Sequence, residues 1–104
     1  MKYLSWVILF LGSITVASAQ NGSSATELLK EDCSKAAKEN KKVFVMFHAS
    51  WCGWCHKMDS SMNAADCKQF FDDNFVIRHF VVDESANKKS LETPGAAEFR
   101  TQYG

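Results

Sequence analysis

Two cysteines, Cys52 and Cys55, stand three positions apart in the segment 51–56, which reads WCGWCH. Two thiols at this spacing can close a small disulfide ring or reopen as a dithiol, which is the chemistry of thiol–disulfide exchange. An apolar run precedes the pair and a helical pattern follows it, so the pair is expected where a strand turns into a helix. The partial positive charge of a helix N-terminus should hold the pKa of the Cys52 thiol below the free value of about 8.5.

The two thiols are expected to have different roles. Cys52, at the start of the helix, is the expected nucleophile, and Cys55, one turn further in, is expected to attack the mixed disulfide that Cys52 forms with a substrate. His56 stands four residues after Cys52 and so on the same helix face. A protonated His56 would favour the Cys52 thiolate. An exposed His56 without a role is the alternative, because a helix N-terminus disfavours a cation.

Composition limits what can surround this pair. The 104 residues are 46% hydrophobic and 23% charged, which suits one small globular domain. Twelve basic and twelve acidic side chains give a net charge of zero, and no basic stripe is present, so nucleic acid is not an expected partner. The four cysteines, at positions 33, 52, 55 and 67, are too few and too unevenly spaced for a disulfide-rich scaffold.

Residues 1–19 read as a secretory signal peptide. Lys2 precedes an apolar stretch over residues 4–16, and the small residues 17–19, Ala-Ser-Ala, follow it. Gly12, Ser13 and Thr15 interrupt the stretch, which is shorter than the roughly 20 apolar residues of a spanning helix. We therefore expect cleavage before Gln20, a single domain over residues 20–104 without a stable membrane span, and a periplasmic or secreted location.

The coarse element order predicted for this domain is α, β, α, α, β, α. Ser24 and Glu27 form a capping-box pattern at the start of the first helix, and residues 40–42 end it. On that helix Cys33 is expected to be a small core residue. Residues 43–47 form an unbroken apolar run, as expected of a central strand covered on both faces.

The second helix is expected to begin at Cys52 and to carry an apolar stripe of Trp54, Met58 and Met62. Asn63 is expected to cap a third helix that holds a structural Cys67. Residues 76–82 alternate as a second strand, with Ile77, His79 and Val81 on one face. A polar loop then leads to Thr93 and Pro94, which are expected to open a last helix.

The segment 43–58, VFVMFHASWCGWCHKM, resembles the active-site strand and helix of thioredoxin-like proteins, and the similarity extends from about Ser24 to Gly104. Within the family the chain looks most like the exported bacterial branch with a WCGWC core. The resemblance implies a thioredoxin-like α/β fold with two adjacent parallel strands joined by a right-handed crossover. It also implies a thiol–disulfide oxidoreductase that acts on protein or peptide thiols and meets a redox partner protein, without a bound cofactor or metal. By position, Cys52 would be the attacking thiol, Cys55 the resolving thiol and Trp51 a wall beside them, with Gly53 and Trp54 between the thiols.

The sequence departs from the family pattern in two places. Met46 occupies the position of the family's buried Asp, and His79 that of a Lys on the neighbouring strand. We expect His79 to titrate near the dithiol in their place, and a His79 without this role is the alternative. The family also places a cis-proline before a later strand, whereas the one proline here is Pro94. The expected domain is thus incomplete at its C-terminus, lacking the cis-proline strand, the closing hairpin and the last helix, and the competing interpretation makes Pro94 the cis-proline.

Three readings from other classes follow from the same residues. Residues 52–56 also match the C-x-x-C-H string of haem attachment, but the candidate second ligands Met58 and Met62 lie on the same predicted helix as His56. A zinc site would need Cys33 and Cys67, which lack paired spacing. The third reading is a redox-inactive thioredoxin-like interaction module.

Overall fold

The computed structural model describes residues 23–103, so the expected signal peptide lies outside the described residues. The first helix, α1, spans Ala25–Glu39. Its predicted capping box is present: the Ser24 backbone N–H donates to Glu27 Oε2 at 2.9 Å, and the Glu27 N–H donates to Ser24 Oγ at 3.3 Å. Asn40 ends the helix in the left-handed conformation, with φ of 54°.

The remaining elements alternate around a small sheet. They are β1 (Lys42–His48), α2 (Gly53–Met62), α3 (Lys68–Asn74), β2 (Phe75–Val81), a 3-10 helix (Ala86–Leu91) and α4 (Ala96–Tyr103). β1 and β2 pair in parallel, with Lys42 opposite Phe75 and His48 opposite Val81. This arrangement confirms the mixed α/β class and the parallel strand pair that the sequence predicts.

One face of the sheet forms the core. Phe80 of β2 is fully buried and packs with Val82, with Ala25 of α1 and with Ala96 of α4. Phe47 and Phe99 lie against this cluster, with ring centroids 5.9 and 6.1 Å from that of Phe80. The core therefore joins α1 and α4 to the sheet and holds the strands that carry the site.

The opposite face, toward α2 and α3, is only partly covered. Phe44 of β1 contacts Phe71 of α3 and Phe75 of β2 edge to face, at 6.0 and 5.7 Å between ring centroids. Phe70 stays 60% exposed beside them. The aromatic cluster thus covers one end of this face, and His48 and His79 lie on the same face toward the dithiol.

The prediction that Cys33 lies in the core is wrong, because its side chain is exposed. The buried residues of α1 are Ala25, Asp32 and Ala36, at spacings that return to one helix face. Asp32 lies on that face because Arg78 of β2 binds it through Nε and Nη2, at 2.5 and 2.7 Å from the two carboxylate oxygens. These hydrogen bonds raise the pKa of Arg78, and the ion pair turns Cys33 outward.

The predicted apolar stripe of α2 is also wrong in part. Met62 is buried, but Trp54 is 80% exposed and Met58 is 44% exposed. Asp59, one position after Met58, lies toward β2 instead, where its Oδ1 is 3.5 Å from His79 Nε2. Met62 and Asp59 therefore lie on the side of α2 that faces the sheet, and Trp54 and Met58 lie on the exposed side.

Several elements differ from the predicted ones in their bounds or their place in the sheet. Asn63 ends α2 instead of opening α3, whose N-cap is the half-buried Cys67. β2 begins one residue earlier than predicted, at Phe75. Within residues 23–103, β1 has a strand neighbour on one side only, so it is not the predicted central strand. The segment after Asp83, predicted as a polar loop, contains the 3-10 helix.

Pro94 lies in a turn before α4 and not in its first turn. Gly95, which follows it, has φ of 76°, a conformation that glycine adopts readily, and α4 begins at Ala96. All peptide bonds of residues 23–103 are trans, so Pro94 does not serve as a cis-proline. No helix among residues 23–103 combines the length and apolar character needed to cross a membrane.

Candidate active site

The two cysteines of the C-x-x-C segment form a disulfide at the start of α2. Cys52 is the N-cap residue, and its Sγ accepts a hydrogen bond from the Cys55 backbone N–H at 3.2 Å. The two Cα atoms are 5.3 Å apart, and both side chains are half-buried. A Cys52 thiolate would therefore receive the same N–H and the positive end of the helix.

The loop between β1 and α2 is tied to the residues that follow β2. The Ser50 backbone N–H and hydroxyl donate to the two carboxylate oxygens of Glu84, at 2.6 and 2.8 Å. Glu84 is buried, and the hydrogen bond from the Ser50 N–H holds its pKa below the usual value. The Trp51 indole N–H donates to the Asp83 carbonyl oxygen at 2.8 Å. These contacts fix the residues immediately before Cys52.

Asp83 carries a second link, to the last helix. Its carboxylate accepts hydrogen bonds from both terminal nitrogens of Arg100 in α4, and these bonds lower the pKa of Asp83. The backbone of Asp83 has φ of 54°, a left-handed conformation that Asp tolerates better than most residues. The turn after β2 thus anchors both the Trp51 ring and α4.

Three imidazoles surround the base of α2. His56 Nε2 lies 3.0 Å from the Ser50 carbonyl oxygen, to which it donates, and His79 contacts Asp59 as described above. The His48 and His79 rings meet edge to face at 5.3 Å between centroids. Burial lowers the pKa of His48, and the neighbouring His79 and His56 lower it further. His48 is therefore held toward its neutral form.

A cavity of about 170 Å³ lies beside the disulfide. Cys52, Cys55 and His48 line it, together with Asp83 and Arg100 from the other side. Cys55 Sγ lies 4.0 Å from the Phe47 carbonyl oxygen, an acceptor that the S–H of a reduced Cys55 can use. Both cysteines of the pair and His48 therefore line one cavity.

Exposed apolar side chains flank the outer side of the disulfide. Trp51 is 65% exposed and Trp54 is 80% exposed. Trp51 lines the cavity beside the disulfide, and most of its ring is also accessible to solvent. Lys57 Nζ lies 4.8 Å from the centroid of the Trp54 ring, a cation–π contact that orients the indole. A Cβ built on Gly53 would meet no heavy atom within 4 Å, so packing alone does not require glycine there.

His79 lies on the strand next to Met46, where the sequence places it. Met46 and His79 are register partners on adjacent strands, and His79 faces α2 through Asp59. The titration of His79 near the dithiol stays a prediction.

Sequence reasoning missed Ser50, His48, Asp59 and the acidic pair of Asp83 and Glu84. The sequence positions of most of these residues could have indicated that they lie near the site. His48 ends β1 and the acidic pair follows β2, and the carboxyl ends of parallel strands meet at one edge of a sheet, where sites tend to form. Asp59 follows Cys55 by four positions and so shares its helix face.

Comparison with known proteins identifies the family. The profile of thioredoxin-like proteins matches residues 24–103. The chain belongs to the thioredoxin-like family. A bovine relative described as protein disulfide-isomerase A5 is 38% identical over 84 residues, which are 80% of this chain and 16% of that protein. The mouse protein of the same description is 45% identical over 47 residues, 45% of this chain and 9% of the relative. No solved structure matches significantly.

The alternative cofactor sites find little support in the geometry. A thioether-linked haem would need both sulfurs of the C-x-x-C-H string, and here these are bonded to each other. Among residues 23–103 no group of three or more His, Cys, Asp and Glu side chains is arranged to hold a metal ion. The disulfide itself can supply thiol–disulfide exchange.

Proposed function

We propose that this thioredoxin-like chain is a thiol–disulfide oxidoreductase that exchanges disulfides with protein or peptide thiols through Cys52 and Cys55. One observation carries the proposal: Cys52 is the N-cap of α2 and is disulfide-bonded to Cys55, whose backbone N–H already points at the Cys52 sulfur. A helix N-terminus stabilises the thiolate, and a thiolate is both the attacking and the leaving species of the exchange.

The surroundings of the disulfide favour polypeptide substrates. The exposed rings of Trp51 and Trp54 flank the disulfide and offer apolar contact area to an extended segment, and Met58 continues that area along α2. The bovine and mouse relatives carry the name of a protein disulfide isomerase, which is consistent with protein substrates. Regeneration of the dithiol or disulfide would require a redox partner protein.

The proposal is tested by the dithiothreitol-driven reduction of insulin. We expect the protein to accelerate insulin precipitation and Cys52→Ser to abolish the acceleration. Cys33→Ser is the matched control, because Cys33 is an exposed thiol on another helix, and it should keep full activity. If the wild-type protein does not accelerate insulin reduction, the redox-inactive interaction module becomes the better description.

The direction of the exchange is a separate measurement. Equilibration with glutathione buffers gives the reduction potential of the Cys52–Cys55 pair. A potential near about −270 mV would place the protein with reductants of the thioredoxin kind, and one near about −120 mV with strong oxidants. An intermediate potential would favour isomerisation.

We also propose that His56 tunes the nucleophile. The hydrogen bond from its Nε2 to the Ser50 carbonyl oxygen holds the ring against the loop that precedes Cys52. A protonated imidazole there would favour the thiolate. The thiolate absorbance near 240 nm, followed through a pH titration of wild type, His56→Lys and His56→Ala, tests this, and identical Cys52 midpoints in all three would contradict it.

The proposed location is outside the cytoplasm, periplasmic or secreted, and it rests on the pattern of residues 1–19. We expect the secreted or periplasmic product to begin at Gln20. Mass spectrometry of its N-terminus checks this, and a product that keeps Met1 and stays with the cytoplasmic fraction would contradict it. Stable disulfides are typical of such compartments.

A further inference from the structure

Release of a substrate from Cys52 requires a proton acceptor. In the mixed disulfide, Cys52 Sγ is bonded to a substrate sulfur and Cys55 is a thiol. Cys55 must lose its proton before its sulfur can attack Cys52 Sγ, because the thiolate is the nucleophile. The Cys52–Cys55 bond then forms, the bond from Cys52 to the substrate breaks, and the substrate leaves as a thiolate that takes up a proton. The cysteine pair is oxidised and the substrate disulfide is reduced by the same two electrons.

The groups around the cavity narrow the choice of acceptor. Of the residues that line it with the two cysteines, three carry ionisable groups besides the thiols: His48, Asp83 and Arg100. Arg100 stays protonated, and its hydrogen bonds lower the pKa of Asp83, which makes that carboxylate a weak base. Glu84, near the same edge, has both oxygens occupied by Ser50.

We propose that His48 accepts the proton of Cys55 across this cavity in the step that releases the substrate. The inference rests on the thiol–disulfide exchange proposed above and assigns its second half-reaction to a residue. The cavity of about 170 Å³ has room for water between the groups, and a proton transfer through one water is effective. His48 suits the task near pH 7, because burial lowers its pKa and leaves the ring neutral.

Charged and titratable groups face His48 from every element packed against it. His79 lies on β2, His56 and Asp59 lie on α2, and Glu84 follows β2. The two imidazoles oppose a positive charge on His48, and the two carboxylates favour it. The His79 ring meets the His48 ring edge to face, and His79 Nε2 lies 3.5 Å from Asp59 Oδ1, so these contacts link the His48 ring to α2.

The experiment uses 5,5′-dithiobis(2-nitrobenzoate) as the substrate disulfide and the reduced protein with Cys33→Ser and Cys67→Ser. Capture by Cys52 releases one coloured thiolate, and the attack of Cys55 releases a second, so stopped-flow absorbance separates the two steps. We expect His48→Gln to leave the first rate constant unchanged. The second should fall about 100-fold at pH 7 and by less than about threefold at pH 9, where hydroxide can take the proton in place of the imidazole.

A second variant separates chemistry from folding. His48→Ala should lose the second phase in the same way, and added imidazole, which fits the cavity, should restore its rate in proportion to concentration. Near-ultraviolet circular dichroism checks that each variant is folded. A second phase with the wild-type pH profile in His48→Gln, or no response to imidazole in His48→Ala, would overturn the assignment. A wild-type protein that releases the first thiolate but never the second would instead overturn the proposed exchange itself.

Discussion

The two faces of the sheet carry different kinds of side chain. Toward α1 and α4 the sheet presents a closed apolar core around Phe80, with Asp32 and Arg78 as a paired charge at its margin. Toward α2 it presents His48 and His79, and the helix above buries Met62 but leaves Trp54 and Met58 exposed. We therefore expect the first face to contribute most of the stability, whereas the second carries imidazole side chains near the disulfide.

The largest effect that separates the two faces is expected from Phe80→Ala. Phe80 is fully buried among aromatic and aliphatic neighbours, and truncating such a ring leaves a cavity, so the free energy of unfolding should fall by about 3–5 kcal/mol. Urea denaturation measures the change. Phe70→Ala is the matched control on the other face, where the ring is 60% exposed, and it should cost less than about 1 kcal/mol. Equal losses would mean that both faces are equally packed.

A smaller loss is expected from Asp32→Asn. The substitution removes the charge that pairs with Arg78 and leaves the guanidinium with a weaker acceptor at a part-buried site, which should cost about 1–3 kcal/mol. Asp73→Asn on the exposed surface of α3 is the control and should change the stability by less than about 0.5 kcal/mol. If the two variants have the same urea midpoint, the ion pair does not hold α1 against β2.

Much of this framework was readable from the sequence because it depends on local patterns. The capping box of Ser24 and Glu27, the stop at Asn40 and the apolar run of β1 each follow from neighbouring residues, and the structure confirms all three. The position of Cys52 as a helix N-cap follows from the same kind of pattern. These features can be predicted without knowing which residues pack against them.

The predictions that failed depend on contacts distant in sequence. Cys33 was expected inside because its spacing suits a helix face, but Asp32 takes that face through Arg78, 46 positions away. Trp54 and Met58 are exposed, and Asp59 lies toward His79 instead, a contact that helical periodicity cannot reveal. The Ser50–Glu84 pair, 34 positions apart, was missed for the same reason. Contacts of the helices and loops with β2 and the residues after it were therefore beyond the reach of local patterns.

The two faces should also respond differently to pH. The pKa of His48 in the folded protein lies below its ordinary value of 6.5, so the unfolded chain binds the proton more readily. The stability linked to His48 is complete above pH 6.5 and is lost as the pH falls through the lowered pKa. Urea midpoints between pH 8 and 5 measure this slope, and His48→Gln should flatten it. The pKa of Glu84 is also lowered, so the stability linked to Glu84 is lost in a separate pH range, below 4.5.

The smallest effect is expected from Cys33→Ser, which should change the free energy of unfolding by less than about 0.5 kcal/mol because the side chain is exposed and buries no apolar area. Its thiol should also react with iodoacetamide in the native, oxidised protein, and faster than that of the half-buried Cys67. Peptide mapping after timed alkylation compares the two thiols within one sample, so alkylation of unfolded molecules adds equally to both rates. Equal rates at the two thiols, or a clear loss of stability in Cys33→Ser, would mean that α1 turns Cys33 toward the core and that the Asp32–Arg78 pair does not set the rotation of the helix.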